Sequence, residues 1–278
     1  MRVLIVRHGE SENNELTDRV TEQGLTGDAW WQEVMRLQHS DPRLTAKGER
    51  EAELLADFYA PIFAESGYGC RIFTSPLLRC CQTTWPLASR HMAAPAASGR
   101  TTVTCHPEIF EVGGPHVVKE LASGELIFDD DNAGECMTAA DIEARFPGYN
   151  TDRLPSKGQW YVKGPETIWA EREMRAAERA RRVVAWIRHD QKLHDKIGST
   201  AVMVMVMHGG FINLLLQELL GGVHGFPNTA TALLDISRSG KVHAFWVGDT
   251  AHLEEGGETG DSRQQAVLAA FLGAHHKL

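Results

Sequence analysis

The sequence has no uninterrupted apolar run that approaches the ~18 residues needed to span a bilayer. Its first residues also lack the basic start, long apolar stretch and small-residue cleavage site of a secretory signal. These absences predict a cytoplasmic protein without a membrane partner. The C-terminal tripeptide His276-Lys277-Leu278 differs at one position from the S-K-L peroxisomal address. Because terminal residues are usually loosely held, we interpret it as a frayed tail.

An excess of basic residues is also missing. Lys and Arg number 28 against 37 Asp and Glu, which gives a formal net charge of −9. A nucleic-acid partner is therefore not expected, because such proteins need a basic face to displace counterions. The acidic balance does not exclude a small anionic substrate, since such a ligand responds to the local pocket.

Paired cysteines and nucleotide-binding loops are missing as well. The five cysteines, odd in number and without a C-x-x-C pair, predict reduced thiols and not a disulfide framework or a zinc site. Neither the G-x-x-x-x-G-K-[ST] phosphate loop nor the G-x-G-x-x-G fingerprint occurs, so nucleotide hydrolysis by those routes is not supported.

What the sequence does contain is a series of short strand-like runs. They lie near Arg2–Arg7, Cys70–Thr74, Val103–Cys105, Ala201–Met207, Thr231–Ile236 and Val242–Val247. The fourth run is apolar throughout, which is typical of a central strand covered on both faces. Strand-like and helix-like segments alternate, and this predicts an α/β fold, a three-layer α/β/α sandwich with a mostly parallel central sheet.

Four helices are predicted between and after these strands. They begin at the capping residue Thr45, just after Ser75-Pro76, at about Pro165 and at Gly209-Gly210. The third runs to about Gln191, and the fourth ends at Gly221-Gly222. Since proline lacks a backbone N–H, we expect the pair Trp85-Pro86 to kink or end the second helix early.

One domain over residues 1–278, with insertions at about 24–42 and 113–164, is the simplest organisation. The first insertion contains Trp30-Trp31, which are interpreted equally well as a lip over the substrate or as an anchor to the core. The second contains Asp129-Asp130-Asp131 and a short helix capped by Thr138. The acidic run could bind a divalent cation, but a solvated loop is the preferred interpretation.

Titratable side chains follow two of the predicted strands directly. Arg7 and His8 end the first strand before Gly9, and His208 ends the run at Met207. In open α/β sheets ligands bind outside the carboxyl ends of the strands, so both histidines are expected at one site. Arg79 lies in the first turn of the helix after Ser75-Pro76, where a helix N-terminus and a guanidinium together attract phosphate.

These segments resemble the histidine phosphatase, or phosphoglycerate-mutase-like, superfamily. Residues 7–14 match its R-H-G-x-x-x-x-N motif, with Asn14 at the asparagine position. Residues 41–48 and 74–83 are similar to its D-x-x-L-T-x-x-G and T-S-x-L-x-R-x-x-Q-T segments, and His208-Gly209-Gly210 is similar to its late H-G-G. The resemblance implies a phosphoglycerate-mutase-like fold and runs to about Gly222, interrupted by both insertions.

The resemblance implies a role for each matched side chain. His8 would be the nucleophile that forms a phosphohistidine, with one ring nitrogen held protonated by a nearby backbone carbonyl. Arg7, Arg79 and His208 would stabilise charge on the phosphoryl oxygens, and Asn14 would donate a further hydrogen bond. Because side chains supply the positive charge, neither a metal nor a cofactor is expected.

The family also uses an acidic residue before a glycine to protonate the leaving oxygen. The segment His106–Gly114 offers Glu108 and Glu111. Glu111 is favoured because it lies closer to the glycines, and Glu108 is the alternative. Cys80 and Cys81 replace the small residues usual after the arginine. They are interpreted as small buried hydrophobes, or as an oxidation-sensitive pair beside Arg79.

The function expected from these residues is hydrolysis of phosphate monoesters on a small phosphorylated metabolite or a phosphoprotein. Two alternatives within the same chemistry are a phosphoglycerate-mutase-type phosphotransferase and a protein Ser/Thr phosphatase. A non-catalytic scaffold of the same fold is the alternative from another class of protein. It is disfavoured because the four residues that the family's chemistry needs are all present, namely Arg7, His8, Arg79 and His208. The sequence does not determine the substrate or the oligomeric state.

Overall fold

Parallel strands form most of the seven-stranded central sheet. The computed structural model describes residues 1–66, 70–93, 102–129, 134–161, 169–196 and 202–254. The sheet contains β1 (Arg2–Arg7), β2 (Cys70–Thr74), β3 (Thr102–Cys105), β6 (Tyr149–Asn150), β7 (Val202–Met207), β8 (Thr231–Ile236) and β9 (Val242–Asp249). Their order is β6-β3-β2-β7-β1-β8-β9. The first five strands in that order are parallel to one another. β8 pairs antiparallel with β1, and β9 pairs antiparallel with β8.

The helices cover both faces of this sheet. They are α1 (Glu12–Glu22), α2 (Gly27–Leu37), α3 (Ala46–Ser66), α4 (Leu78–Ala93), α5 (Ala139–Arg145), α6 (Trp169–Lys196) and α7 (Gly209–Leu220). Among the described residues, no helix is both long and apolar enough to cross a bilayer.

Two hydrophobic cores result, because alternate residues of a strand point to opposite faces of the sheet. In β1, Leu4 and Val6 belong to the core shared with α3, α4 and α5, whereas Val3 and Ile5 belong to the core shared with α6 and α7. All six residues of β7 are buried, as expected for a strand covered on both faces. The predicted three-layer α/β/α class with a mostly parallel sheet is therefore confirmed.

The prediction that α4 ends early at Pro86 is wrong, whereas the alternative, a kink at this proline, stays a prediction. The helix continues through this proline to Ala93. The next two residues, Leu87 and Ala88, are completely buried in the core, so packing of the last turns outweighs the backbone hydrogen bond that proline cannot donate. The predicted start of α6 at Pro165 lies outside the described residues, which begin again at Trp169.

The two predicted insertions contact each other. Leu126 N donates to Gln32 Oε1 at 3.0 Å, which ties a hairpin, β4 (Val118–Glu120) with β5 (Leu126–Phe128), to α2. Trp30 packs on a small cluster that includes Leu16, so it anchors α2. Trp31 stays 39 % exposed, with its ring edge-on to Phe128. The single-domain organisation of residues 1–278 stays a prediction.

The second insertion contains more regular structure than the sequence suggested. Thr138 caps α5 as predicted, accepting a hydrogen bond from Asp141 N at 3.2 Å. The following segment adds β6 to the edge of the sheet beside β3. Of the acidic run, Asp129 accepts from Lys119 Nζ at 3.2 Å, while Asp130 and Asp131 lie outside the described residues, as do residues 276–278.

Candidate active site

The two histidines meet at the carboxyl edge of the sheet. β1 and β7 pair in parallel with Arg7 opposite Met207, and His8 N donates to Met207 O at 2.9 Å. His208 follows at the end of β7, and the two ring centroids are 5.2 Å apart. The structure therefore brings the two histidines together at one edge of the sheet, and their roles stay predictions.

His8 is held in one tautomer. Its Nδ1 lies 2.7 Å from Gly9 O, a carbonyl that can only accept, so Nδ1 carries the proton. The opposite nitrogen, Nε2, is the one with a lone pair, and Arg79 Nε donates to it at 3.3 Å. Burial lowers the pKa of His8 well below its ordinary value, and the positive charges of Arg79 and Arg7 lower it further. His8 is thus a neutral imidazole at neutral pH.

Arg7 has one guanidinium N–H group without a hydrogen-bond partner in the described part of the chain. Its Nη1 donates to Phe226 O at 2.8 Å, whereas its buried Nε has no hydrogen-bond partner among the described residues. A Cβ at Gly209 would lie 3.1 Å from this Nε, so the glycine leaves room for the guanidinium. Burial, ahead of the charges around it, lowers the pKa of Arg7. An anion near Nε would satisfy this donor.

The guanidinium of Arg79 lies close to the carboxyl group of Asp41. The Asp41 Oδ1 lies 3.9 Å from Arg79 Nη1 and accepts from Leu78 N at 2.9 Å. The carboxylate therefore caps the start of α4 and faces the guanidinium that reaches His8. Burial raises the pKa of Asp41 to about 6, against the opposing effect of Arg79.

His208 lies in the interior of the protein. It is completely buried, with Nε2 2.9 Å from Ser75 Oγ and 3.4 Å from Cys80 Sγ. Burial lowers its pKa well below the ordinary value, followed by the charge of Arg79. A neutral His208 can act as a hydrogen-bond donor, and not as a fixed positive charge.

The structure separates the two candidate acids. The Glu111 carboxylate accepts from Val112 N at 2.8 Å and from Phe211 N at 3.0 Å, in the first turn of α7 beside His208. Glu108 points away from this edge and pairs at 2.9 Å with Arg182, whose side chain is 57 % exposed. Only Glu111 of the two reaches the edge occupied by the histidines.

Asn14 lies in the cap of α1. Its Oδ1 accepts from Ser11 N at 3.1 Å, from Ser11 Oγ at 2.9 Å and from Asn228 Nδ2 at 3.2 Å. These three donors fix the orientation of the amide, and its Nδ2 is the end that could donate to a ligand. The predicted bond from Asn14 to a phosphoryl oxygen stays a prediction.

Close backbone contact explains the glycines of the first two motifs. A Cβ at Gly9 would lie 2.6 Å from Gly48 O, and a Cβ at Gly48 would lie 2.0 Å from Glu10 O. The first turn of α3 therefore rests directly on the loop that carries His8. Gly9 N also donates to Thr83 Oγ1 at 2.9 Å, which ties the same loop to α4.

Some supporting residues were missed at the sequence level. Asp41, Ser75 and Thr83 lie inside the quoted motifs, so their positions could have been singled out, although no role was given to them. Arg179 lies on α6 and holds the segment that carries Glu111, and no motif pointed to it. Its side chain contacts residues that are far away in the sequence, and a sequence pattern does not show such contacts.

All five cysteines are buried and unpaired. Burial raises the pKa of the Cys80 thiol, and it raises that of Cys81 well above the ordinary value. High thiol pKa values oppose oxidation and support the interpretation as small buried hydrophobes. Within the described residues, no three His, Cys, Asp or Glu side chains come together in a way that could hold a metal ion.

Comparisons with solved structures find similar folds at low identity. The similar proteins include ecdysone phosphate phosphatase from Bombix mori in complex with tungstate (15 % identity, covering 87 % of this chain and 91 % of that chain, TM-score 0.49). They also include phosphoserine phosphatase from Entamoeba histolytica with 3-phosphoglyceric acid (18 %, 91 % and 99 %, 0.45). A third is a putative alpha-ribazole-5'-P phosphatase from Escherichia coli (17 %, 90 % and 98 %, 0.47).

The three solved proteins are phosphatases by name. No curated protein matches the chain. The family model of the histidine phosphatase superfamily (branch 1) matches residues 3–98, which include the first three of the four motifs. The resemblance to the histidine phosphatase superfamily that the motifs predicted is therefore confirmed over these residues.

Proposed function

We propose that this protein is a phosphatase that hydrolyses phosphate monoesters through a phosphohistidine on His8. The observation that carries the proposal is the state of His8. Its Nδ1 proton is fixed on Gly9 O, and its Nε2 lone pair lies among the guanidinium groups of Arg7 and Arg79. A neutral nucleophile beside fixed cations is what phosphoryl transfer requires.

In the first step, His8 Nε2 attacks the phosphorus of the ester. The P–N bond forms as the P–O bond to the leaving group breaks. The non-bridging oxygens accept hydrogen bonds from Arg7 Nε, from Arg79 and from the neutral ring of His208. These donors are already in place before the reaction, so little reorganisation is needed as charge develops. Asn14 Nδ2 adds a further donor.

Glu111 is the proposed proton donor to the leaving oxygen. Its carboxyl group lies at the start of α7, next to the two glycines that follow His208. A dianionic phosphate bound nearby favours the protonated carboxyl group through like-charge repulsion. In the second step, water attacks the phosphohistidine and gives its proton to the Glu111 carboxylate. Inorganic phosphate leaves, His8 regains its lone pair, and the enzyme is ready for another turnover.

Rapid-quench labelling with a panel of ³²P-labelled metabolites and phosphopeptides tests the proposal. The wild-type protein is expected to form an acid-labile, base-stable phosphoprotein and to release phosphate. His8→Ala is expected to do neither. Release of phosphate by His8→Ala at the wild-type rate, or an absence of labelling with every donor, would contradict the phosphohistidine mechanism. Label that moves to a second hydroxyl of the donor, without free phosphate, would identify a mutase instead.

Two further variants test the acid. Glu111→Gln is expected to slow hydrolysis of alkyl phosphates by about 10²- to 10⁴-fold, the usual contribution of a general acid, with little change in inhibition by inorganic phosphate. Glu108→Gln is the matched control from the same segment and is expected to resemble the wild type, because its carboxylate pairs with Arg182. A large loss in Glu108→Gln alone would transfer the role to Glu108.

A further inference from the structure

Arg179 is a buried arginine whose hydrogen bonds within the described part of the chain go to the segment before Gly113. Its side chain lies on α6 and is 5 % exposed. Nη1 donates to Glu108 O at 2.8 Å and to Phe110 O at 2.6 Å, and Nη2 donates to Glu111 O at 3.2 Å. One guanidinium thus binds three carbonyl oxygens of the four-residue stretch that ends in the proposed acid.

Two aromatic rings fix the plane of this guanidinium. The carbon Cζ lies 3.6 Å from the ring centroid of Phe110 and 4.1 Å from that of Phe211. Phe110 precedes Glu111, and Phe211 is a residue whose N–H binds the Glu111 carboxylate. Arg179 therefore touches both the segment that carries the carboxylate and the helix turn that receives it.

Other contacts also hold part of this segment. Ile109 is completely buried in the core, and Gly114 N donates to Glu111 O at 3.0 Å. Arg179 adds donors to Glu108 O and Phe110 O. Because buried carbonyls without partners are costly, loss of the guanidinium is expected to disturb the backbone just before Glu111. Burial lowers the pKa of Arg179 to about 9, against the effect of Glu111, so the group stays charged at neutral pH.

We propose that Arg179 is the positioning residue of the proton donor. It holds the backbone of residues 108–111 so that the Glu111 carboxyl group stays at the start of α7, beside the histidine pair. The proposal rests on the function proposed above. It extends that function by assigning the placement of the acid to a side chain on another helix, one that touches neither the substrate nor the phosphoryl group.

The leaving group separates this role from a merely structural one. An alkyl phosphate has a poor leaving group and needs a proton donor, whereas 2,4-dinitrophenyl phosphate has a leaving group that departs as an anion. Damage to the acid therefore slows the first substrate selectively. General damage to the fold or to the phosphate site slows both substrates alike.

The experiment compares Arg179→Met and Arg179→Lys with the control Arg182→Met. Arg182 is an exposed arginine on the same helix that pairs with the Glu108 side chain. We expect Arg179→Met to lower kcat/KM for an alkyl phosphate by about tenfold or more, with a change of at most about twofold for 2,4-dinitrophenyl phosphate. Arg179→Lys is expected to lie between Arg179→Met and the wild type, and Arg182→Met is expected to match the wild type.

A double variant completes the test. In the Glu111→Gln background, Arg179→Met is expected to cause no further selective loss on the alkyl phosphate, because the acid is already gone. Equal losses on both substrates, or a full selective loss on top of Glu111→Gln, would overturn the positioning role. If Arg179→Met does not fold, the same comparison is made with Arg179→Lys. Phosphohistidine labelling of the wild type is measured in parallel, so its absence marks failure of the proposed function and not of this inference.

Discussion

At the scale of single residues, the charge of Asp41 links the site to the stability of the fold. Its carboxyl side chain is 8 % exposed, caps the start of α4 and faces Arg79. Burial dominates over the attraction of Arg79 and raises the pKa of Asp41 to about 6 from its ordinary value of 3.8. Ionising this group is therefore harder in the folded protein than in the unfolded chain.

The sign of the pH dependence follows from that difference. Between pH values of about 4 and about 6 the folded state binds more protons at Asp41 than the unfolded state does. The free energy of unfolding then falls, through this group, as the pH rises through that window, by about 3 kcal/mol in all. Above about pH 7, where Asp41 is ionised in both states, its contribution is constant.

Asp41→Asn removes this titration, because asparagine stays neutral at every pH. We expect the stability of the variant relative to the wild type to increase by about 3 kcal/mol as the pH rises from about 4 to about 7. Urea denaturation at several pH values measures it. A stability difference that stays constant across this range would contradict a raised pKa for Asp41, whatever the size of the difference.

At the scale of elements, α3 packs against the loop after β1 with its backbone in close contact. Gly48 lies in the first turn of α3, and a Cβ there would overlap Glu10 O at 2.0 Å. The clash is with backbone atoms on both sides, so no side chain can move to relieve it. Since that loop carries His8, any shift of α3 would also move the proposed nucleophile.

Gly48→Ala is therefore expected to destabilise the protein by about 1–3 kcal/mol, the usual cost of overpacking, and to reduce phosphatase activity. Gly225→Ala is the matched control. A Cβ at Gly225 meets nothing within 4 Å, and its φ is not in the left-handed region. Thermal unfolding and phosphate release measure both variants, and a Gly48→Ala protein as stable and active as Gly225→Ala would contradict the close approach.

At the scale of the whole molecule, the core shared with α3, α4 and α5 keeps all five thiols away from solvent. Cys70, Cys80, Cys81 and Cys105 are completely buried, and Cys136 is 8 % exposed. Burial raises the pKa of Cys136 to about 12, and it raises the pKa of Cys70 as well. Reaction of such thiols requires the fold to open.

Labelling with 5,5'-dithiobis(2-nitrobenzoic acid) is expected to be slow in the native protein and to accelerate with urea in parallel with global unfolding. Five thiols are expected to react once the chain is denatured, which serves as the control count. Rapid native-state labelling accompanied by loss of activity would instead support the oxidation-sensitive pair at Cys80 and Cys81.

Much of the site was predictable because its residues lie next to regular elements. Arg7, His8 and His208 follow strands, and parallel strands bring their carboxyl ends to one edge. Glu111 was favoured over Glu108 for its nearness to the glycines, and the structure places it by the histidines. The expectation that Pro86 could end α4 was wrong, because a local rule about proline takes no account of the buried side chains that follow it.

Periodicity and strand ends are local properties, so the α/β class, the order of the motifs and the residue types at the sheet edge could be predicted from the sequence. The folded structure was needed to show which nitrogen of His8 is free, which carboxylate faces Arg79 and which arginine holds the Glu111 segment. These depend on contacts between residues far apart in the chain, such as Arg179 with residues 108–111 and Asp41 with α4. Such contacts are set by the packing of whole elements, which no short stretch of sequence encodes.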